Sequence, residues 1–279
     1  MPSYITVINL AFALPNLKYW KGKNNLEGTG LDFPVDFWAV KRAVEKLKSK
    51  NPKVRVQLSV GGASYYDWRN TDIQAAVHLV NDLGLDGIDI DYEPRNNHCS
   101  WETTTKGSCP SDKEFTNLIK NYRDTLPRNK KLTAAGWSTG PYGWEKYPAG
   151  RSPPIGGDSY GAFINPLRQV GSLLDSIYIM SYDADLVYNI TQGYDAYRQL
   201  YKGELCIGIE IPPESWGKHV ISMNEVDHLL SYMDDHGGNG VMLWALQEQP
   251  KVKAPNPTEI FQRACRHYKM QNCDQIVPH

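Results

Sequence analysis

Between Leu85 and Glu93 the chain reads Leu-Asp-Gly-Ile-Asp-Ile-Asp-Tyr-Glu, with acids recurring at every second position from Asp89 onward. In an extended strand successive side chains take opposite faces, so Asp89, Asp91 and Glu93 share one side, roughly 7 Å apart at each step, while Ile88, Ile90 and Tyr92 share the other. Carboxylates lined up on one face of an apolar strand lose hydration and repel one another. They are tolerated where protons, hydrogen bonds or a cation compensate. Two chemistries fit: proton transfer by carboxyl groups of unequal proton affinity, or a magnesium or calcium site built of hard oxygen ligands. The structural alternative is the solvated face of an edge strand, where such acids cost little.

The surrounding segments argue against an edge. Ser3–Leu14 is a continuous apolar run, as expected of a strand buried on both faces. Further strands are expected over Val54–Val60, Leu132–Trp137, Ile177–Asp183, Leu205–Ile211 and Gly240–Leu246. Between them, helical patterning is expected over Val35–Ser49, Thr71–Leu83, Ser111–Leu126, Tyr160–Leu173, Thr191–Leu200 and Glu225–His236, with Ser111 and Glu114 spaced as a capping box. Strand and helix in alternation with short connections make a parallel sheet, and its regular continuation suggests a (β/α)8 TIM barrel formed as one domain over 1–279. Seven strands are counted, including the acidic one. Active sites of such barrels lie at the carboxyl ends of the strands, where Glu93 is the outermost acid.

The pattern Asp-x-x-Asp-x-Asp-x-Glu, here Asp86, Asp89, Asp91 and Glu93, resembles the catalytic signature of the family 18 glycoside hydrolases, the chitinase family. Two further segments resemble the same family: Ser59-Val60-Gly61-Gly62, otherwise readable as a glycine turn, and Met180-Ser181-Tyr182-Asp183. Trp244, near the end of the last strand, fits the place of a family tryptophan that floors the sugar subsite. The resemblance implies a retaining, substrate-assisted hydrolysis, in which the acetamide oxygen of the substrate attacks the anomeric carbon. It implies Glu93 as general acid and then base, and Asp91 as the group holding the acetamide N–H through a proton shared with Asp89. Tyr182 would act as donor to the acetamide oxygen and Asp183 as a contact to sugar hydroxyls. Gly62, Met180 and Trp137 fall in segments that would contact substrate. Family members lacking the final Glu are non-catalytic lectins, so the intact Glu93 argues for an enzyme. No cofactor or metal is implied.

Two departures from the family stand out. A strand that precedes the equivalent of Ser3–Leu14 has no counterpart here, and residues 211–240 leave room for a loop and one helix rather than the small α+β insertion domain of larger chitinases. The cleft is therefore expected to be shallow and open, cutting polymer internally with little processivity.

Thirty basic and 31 acidic residues without long like-charge runs give no electrostatic footprint for nucleic acid or anionic membrane, so an uncharged substrate and a monomer are expected. Eight Trp and 17 Tyr supply rings that can stack on sugars, among them Trp137, Tyr142, Trp144 and Tyr147 in one stretch, although core packing would use them equally well. No stretch has the length of a membrane span. Of five Cys, Cys99 with Cys109 and Cys265 with Cys273 would each close a short loop, leaving Cys206 unpaired. Such pairs suit an oxidising, extracellular setting, with a signal or larger N-terminal region preceding Met1. Asn189-Ile-Thr191 is a glycosylation sequon in a eukaryotic secretory source. Three activities stay open: endo-chitinase, endo-β-N-acetylglucosaminidase on glycoprotein glycans, and a chitin-binding lectin without turnover.

Overall fold

The computed structural model describes residues 1–102, 106–143, 160–184, 188–216 and 218–278. Its strands are β1 (Val7–Ala13), β2 (Arg55–Gly61), β3 (Gly87–Asp91), β4 (Ser100–Trp101), β5 (Gly107–Ser108), β6 (Lys131–Trp137), β7 (Ser176–Met180), β8 (Glu204–Glu210) and β9 (Val241–Trp244). Its helices are α1 (Phe37–Lys50), α2 (Ile73–Asp82), α3 (Asp112–Thr125), α4 (Ile164–Val170), α5 (Ile190–Leu200), α6 (Met223–Asp235) and α7 (Pro257–His267). Seven strands form one sheet in the order β1-β2-β3-β6-β7-β8-β9, every adjacent pair parallel, while β4 and β5 make a small antiparallel hairpin. This is the α/β architecture of a TIM barrel, built from seven strands and curled around its interior.

The outward faces of the central strands carry Leu58, Val60, Ile88, Ile90, Leu132, Ala134, Ile177, Ile179 and Ile207, all buried. They pack in one continuous core with Leu79 and Val80 of α2, Phe115 and Ile119 of α3, and Leu230 of α6. Asp36, Asp72 and Asn189 cap α1, α2 and α5 by accepting from amides three residues on. The acidic strand is thus flanked by strands on both sides, and the edge-strand reading fails.

Three expectations need correction. The capping box at Ser111 is absent: its side chain makes no cap bond, and Glu114 instead accepts the Tyr92 hydroxyl at 2.5 Å. The Ser111 amide that Glu114 would accept from in a capping box donates instead to Asn97 Oδ1 at 3.0 Å, which leaves Glu114 to the buried phenol. No helix is expected beyond Glu225–His236, but α7 forms there with Pro257 in its first turn and a capping box between Asn256 and Glu259. Tyr142 is 7% exposed and packs with Ala196, Tyr160 and Tyr188, so it is core rather than a sugar platform. Trp144 and Tyr147 lie outside the described residues.

Among the described residues no strand bonds β1 to β9. Both are only partly buried along most of their length, and a cavity of about 850 Å³ lies between and beneath them. The chain covers this seam from outside with α7 and the residues after it. Tyr4, Ile5, Cys265 and Val277 form a second small core with Ile8, Leu246 and Phe261, and Tyr4 Oη donates to Gln275 O at 2.6 Å. Both expected disulfides are present, Cys99–Cys109 and Cys265–Cys273, and Cys206 is free. Replacing Cys265 and Cys273 together by Ser opens a loop spanning 8 positions. By the chain-entropy relation this loses about 2.5 kcal/mol. Urea unfolding should show a lowered midpoint with an unchanged slope, and an unchanged midpoint would mean that α7 docks without help from the bridge.

Candidate active site

Strand β3 is short, so its carboxylates meet three different environments. Asp86 precedes the strand and is structural: it accepts from Val56 N at 2.8 Å and pairs with Lys48 Nζ at 2.6 Å. Asp89 faces the barrel interior, where Ser59 Oγ and Thr133 Oγ1 donate to its two oxygens at 2.9 and 2.6 Å. Thr133 in turn accepts from Gln57 Nε2 at 3.1 Å, which also donates to Asn9 Oδ1. Burial pushes the Asp89 carboxyl up, and the two hydroxyls oppose that shift.

Asp91 closes the strand and Glu93 lies just beyond it. Burial raises the Asp91 carboxyl well above its ordinary range, reinforced by the charges of Glu93 and Asp89 and by a hydrogen bond to Glu93. Glu93 is pushed up to about 7, chiefly by burial and further by the charge of Asp183, against the opposing hydrogen bond from Asp91. Asp91 is thus hydrogen-bonded to Glu93, while Asp89 has both oxygens engaged by hydroxyl donors. Asp91 Oδ1 is buried without a partner.

The glycine pair at the end of β2 is more than a turn. Gly61 and Gly62 have φ of +106° and +82°. A Cβ on Gly61 would stand 2.2 Å from Asp91 O and 2.3 Å from the Trp68 ring, and one on Gly62 would stand 3.0 Å from the Phe12 ring. Gly62 N also donates to Asp91 O at 2.9 Å, so the pair sets the height of the Asp91 backbone.

Met180 and Tyr182, from the end of β7, share the cavity with Asp89, Asp91, Phe12 and Trp244. Burial raises the Tyr182 hydroxyl well above its usual value, and the charges of Asp91, Glu210, Glu93 and Asp183 add to this, so it remains a neutral donor among carboxylates. Asp183 turns at φ +48° and donates its amide to Glu214 Oε2 at 3.1 Å. Trp244 is 37% exposed, with its ring 5.2 Å from that of Phe12. Trp137 is half-buried against the core and gives its Nε1–H to Tyr92 O at 3.2 Å, so it braces the end of the acidic strand.

The sequence reading missed Glu210. It ends β8 opposite Trp244 in the β8–β9 register and is 7% exposed. Burial and the charge of Asp183 push it up to about 7 against hydrogen bonds from Ser215. The available signal was slight: Glu210 is an acid at the end of an apolar strand, as Asp91 is at the end of β3. Among the described residues no three His, Cys, Asp or Glu are arranged to hold a metal ion, and the hydroxyls on Asp89 fill the positions a cation would take.

The family model for the glycosyl hydrolases family 18 matches residues 1–204. Chitinase 1 of Aphanocladium album is 28% identical over 160 residues, covering 54% of this chain and 33% of that protein. The chain spans about a third or less of the length of the curated relatives it matches. The class V chitinase from Nicotiana tobaccum superposes with a TM-score of 0.63 at 14% identity, over 95% of this chain and 93% of that one. Human YKL-39, described as a pseudo-chitinase with retained chitooligosaccharide binding, gives 0.63 at 12% identity, over 95% and 92%. The structural neighbours share the curled parallel sheet, and the family model extends from β1 to the first residue of β8, across the whole acidic strand. The chain belongs to the glycosyl hydrolases of family 18.

Proposed function

We propose that this chain hydrolyses β-1,4-linked N-acetylglucosamine in chitin or chito-oligosaccharides, with retention and with the substrate's acetamide as nucleophile. The observation that carries the reading is the hydrogen-bonded Asp91–Glu93 pair at the mouth of the barrel, with Glu93 brought to about 7. A general acid with a pKa near the working pH is protonated often enough to donate and is weak enough to take the proton back from water. Asp91 would turn from Glu93 to accept the acetamide N–H, sharing its own proton with Asp89, while Glu93 gives its proton to the leaving oxygen. Tyr182 donates to the acetamide oxygen, Trp244 lies under the ring, and Asp183 meets sugar hydroxyls. The connection between β8 and α6 carries no inserted domain, which supports an open cleft and internal, weakly processive cutting.

The test is hydrolysis of a chromogenic chitobioside in EDTA, beside release of N-glycan from a glycoprotein. Turnover of the chitobioside alone supports the reading, glycan release moves the substrate to glycoproteins, and binding without turnover makes the protein a lectin. Because the acid must be protonated, kcat/KM should be flat at low pH until other groups titrate, then fall as pH rises through about 7. A rate that rises through that range would remove Glu93 as the acid.

A further inference from the structure

The β8–α6 connection crosses the carboxyl end of the barrel and is fastened to the carboxylates there. Ser215 donates its amide and its hydroxyl to Glu210 Oε1 at 3.2 and 2.9 Å. The next amide, that of Trp216, donates to Asp183 Oδ1. Asp183 and Glu210 are themselves hydrogen-bonded side chain to side chain, and Glu214, which accepts the Asp183 amide, lies 3.1 Å from His219 Nδ1. The turn is thus held by two residues of the cleft, one beside Trp244 and one following Tyr182.

What this anchoring holds up is an indole in solvent: Trp216 is 58% exposed. Of the other exposed rings among the described residues, Trp244 packs against Phe12 and three carry a cation. Lys23 Nζ lies 5.1 Å from the Trp20 ring, Lys41 Nζ lies 5.6 Å from Trp38, and the Arg95 guanidinium lies 3.7 Å from Tyr66. Among the described residues neither a ring nor a cation packs on Trp216 in this way. Exposed apolar area of that size is unfavourable in water, and a turn pinned by carboxylates cannot fold it away. A flat ring at a cleft edge, backed by acceptors for hydroxyl groups, suits the apolar C–H face of a pyranose.

We propose that Trp216 is a sugar-stacking platform at the rim of the cleft, fixed there by Asp183 and Glu210, that binds an N-acetylglucosamine ring beyond the one lying over Trp244. This rests on the chito-oligosaccharide reading of the site. It makes the binding face longer than the floor residues alone define, so its contribution grows with substrate length.

The experiment compares kcat/KM for the N-acetylglucosamine hexamer with kcat/KM for a chromogenic chitobioside in wild type, Trp216→Ala and Trp216→Phe. The ratio of hexamer to chitobioside should fall about three- to tenfold in Trp216→Ala, the worth of one ring stack, and recover in Trp216→Phe. Trp20→Ala, which removes an equally exposed ring covered by Lys23, should leave the ratio where it was. A ratio unchanged in Trp216→Ala, or lowered equally by Trp20→Ala, overturns the assignment. If the wild type hydrolyses neither substrate, the hydrolytic reading has failed, and calorimetric titration with the hexamer decides this one separately. Weaker binding by Trp216→Ala than by wild type supports the platform, and equal affinities, or no binding to wild type, refute it.

Discussion

Glu93→Gln is expected to leave a folded protein that binds N-acetylglucosamine oligomers and turns them over roughly a hundred- to ten-thousandfold more slowly than wild type. The amide preserves shape and still accepts the hydrogen bond from Asp91, but it has no proton to give the leaving oxygen and none to take from water. A second readout is independent of turnover. The Glu93 carboxyl has its folded pKa raised to about 7 from 4.5, first by burial. A group raised in this way contributes stability that is complete below its unfolded value and is lost as pH rises through its folded one. Wild type therefore carries a cost at pH 8 that the glutamine variant escapes, while at pH 4 both side chains are neutral. Thermal melts should show the variant gaining stability over wild type at pH 8 and losing that advantage at pH 4. Near wild-type turnover would end the assignment of Glu93 as the acid, and a variant advantage equal at both pH values would mean that burial does not act on its charge.

The second large effect is conformational. Gly61→Ala is expected to destabilise the fold by about 3 kcal/mol or more, because two costs coincide. Its φ of +106° is a backbone conformation that side chains rarely adopt, and its new methyl would overlap both the Asp91 carbonyl and the Trp68 ring. Neither neighbour can retreat cheaply. Asp91 O belongs to the backbone of the acidic strand, and Trp68 is buried against Tyr92, their ring centroids 5.1 Å apart. Whatever fraction stays folded should also be a poor catalyst, since relief of the overlap displaces Asp91. Urea unfolding and chitobioside turnover check the two halves. A variant that unfolds at the wild-type urea concentration would show that the strand ends can separate freely.

The strands were legible because their apolar runs are long and their acids keep a two-residue period. Even the lone cysteine and both short disulfide loops followed from position. What sequence could not carry was the choice among equivalent partners. Asp91 has an acid two residues away on either side, and only the hydroxyls of Ser59 and Thr133, brought over from neighbouring strands, decide that Asp89 is already satisfied. Glu114 could cap its own helix or receive Tyr92, and burial of the phenol decides between them. Helix α7 is a different failure: Asn256, Pro257 and Glu259 announce a helix start that the sequence reading did not take up. Glu210 was passed over because a single acid at a strand end carries no motif.

The unjoined seam between β1 and β9 divides the site into parts with different persistence. Asp89 and Asp91 sit on β3, with two strands on one side and four on the other. Phe12 and Trp244, the proposed floor of the cleft, stand on the two strands at the ends of the sheet. Backbone at a sheet edge exchanges its amide hydrogens through small local openings, while backbone in the middle waits for far larger ones. On the proposed function, the carboxylates would be clamped while the residues under the sugar would exchange more readily. Fluctuation at the seam would then loosen the grip on the proposed substrate without misaligning the proposed acid.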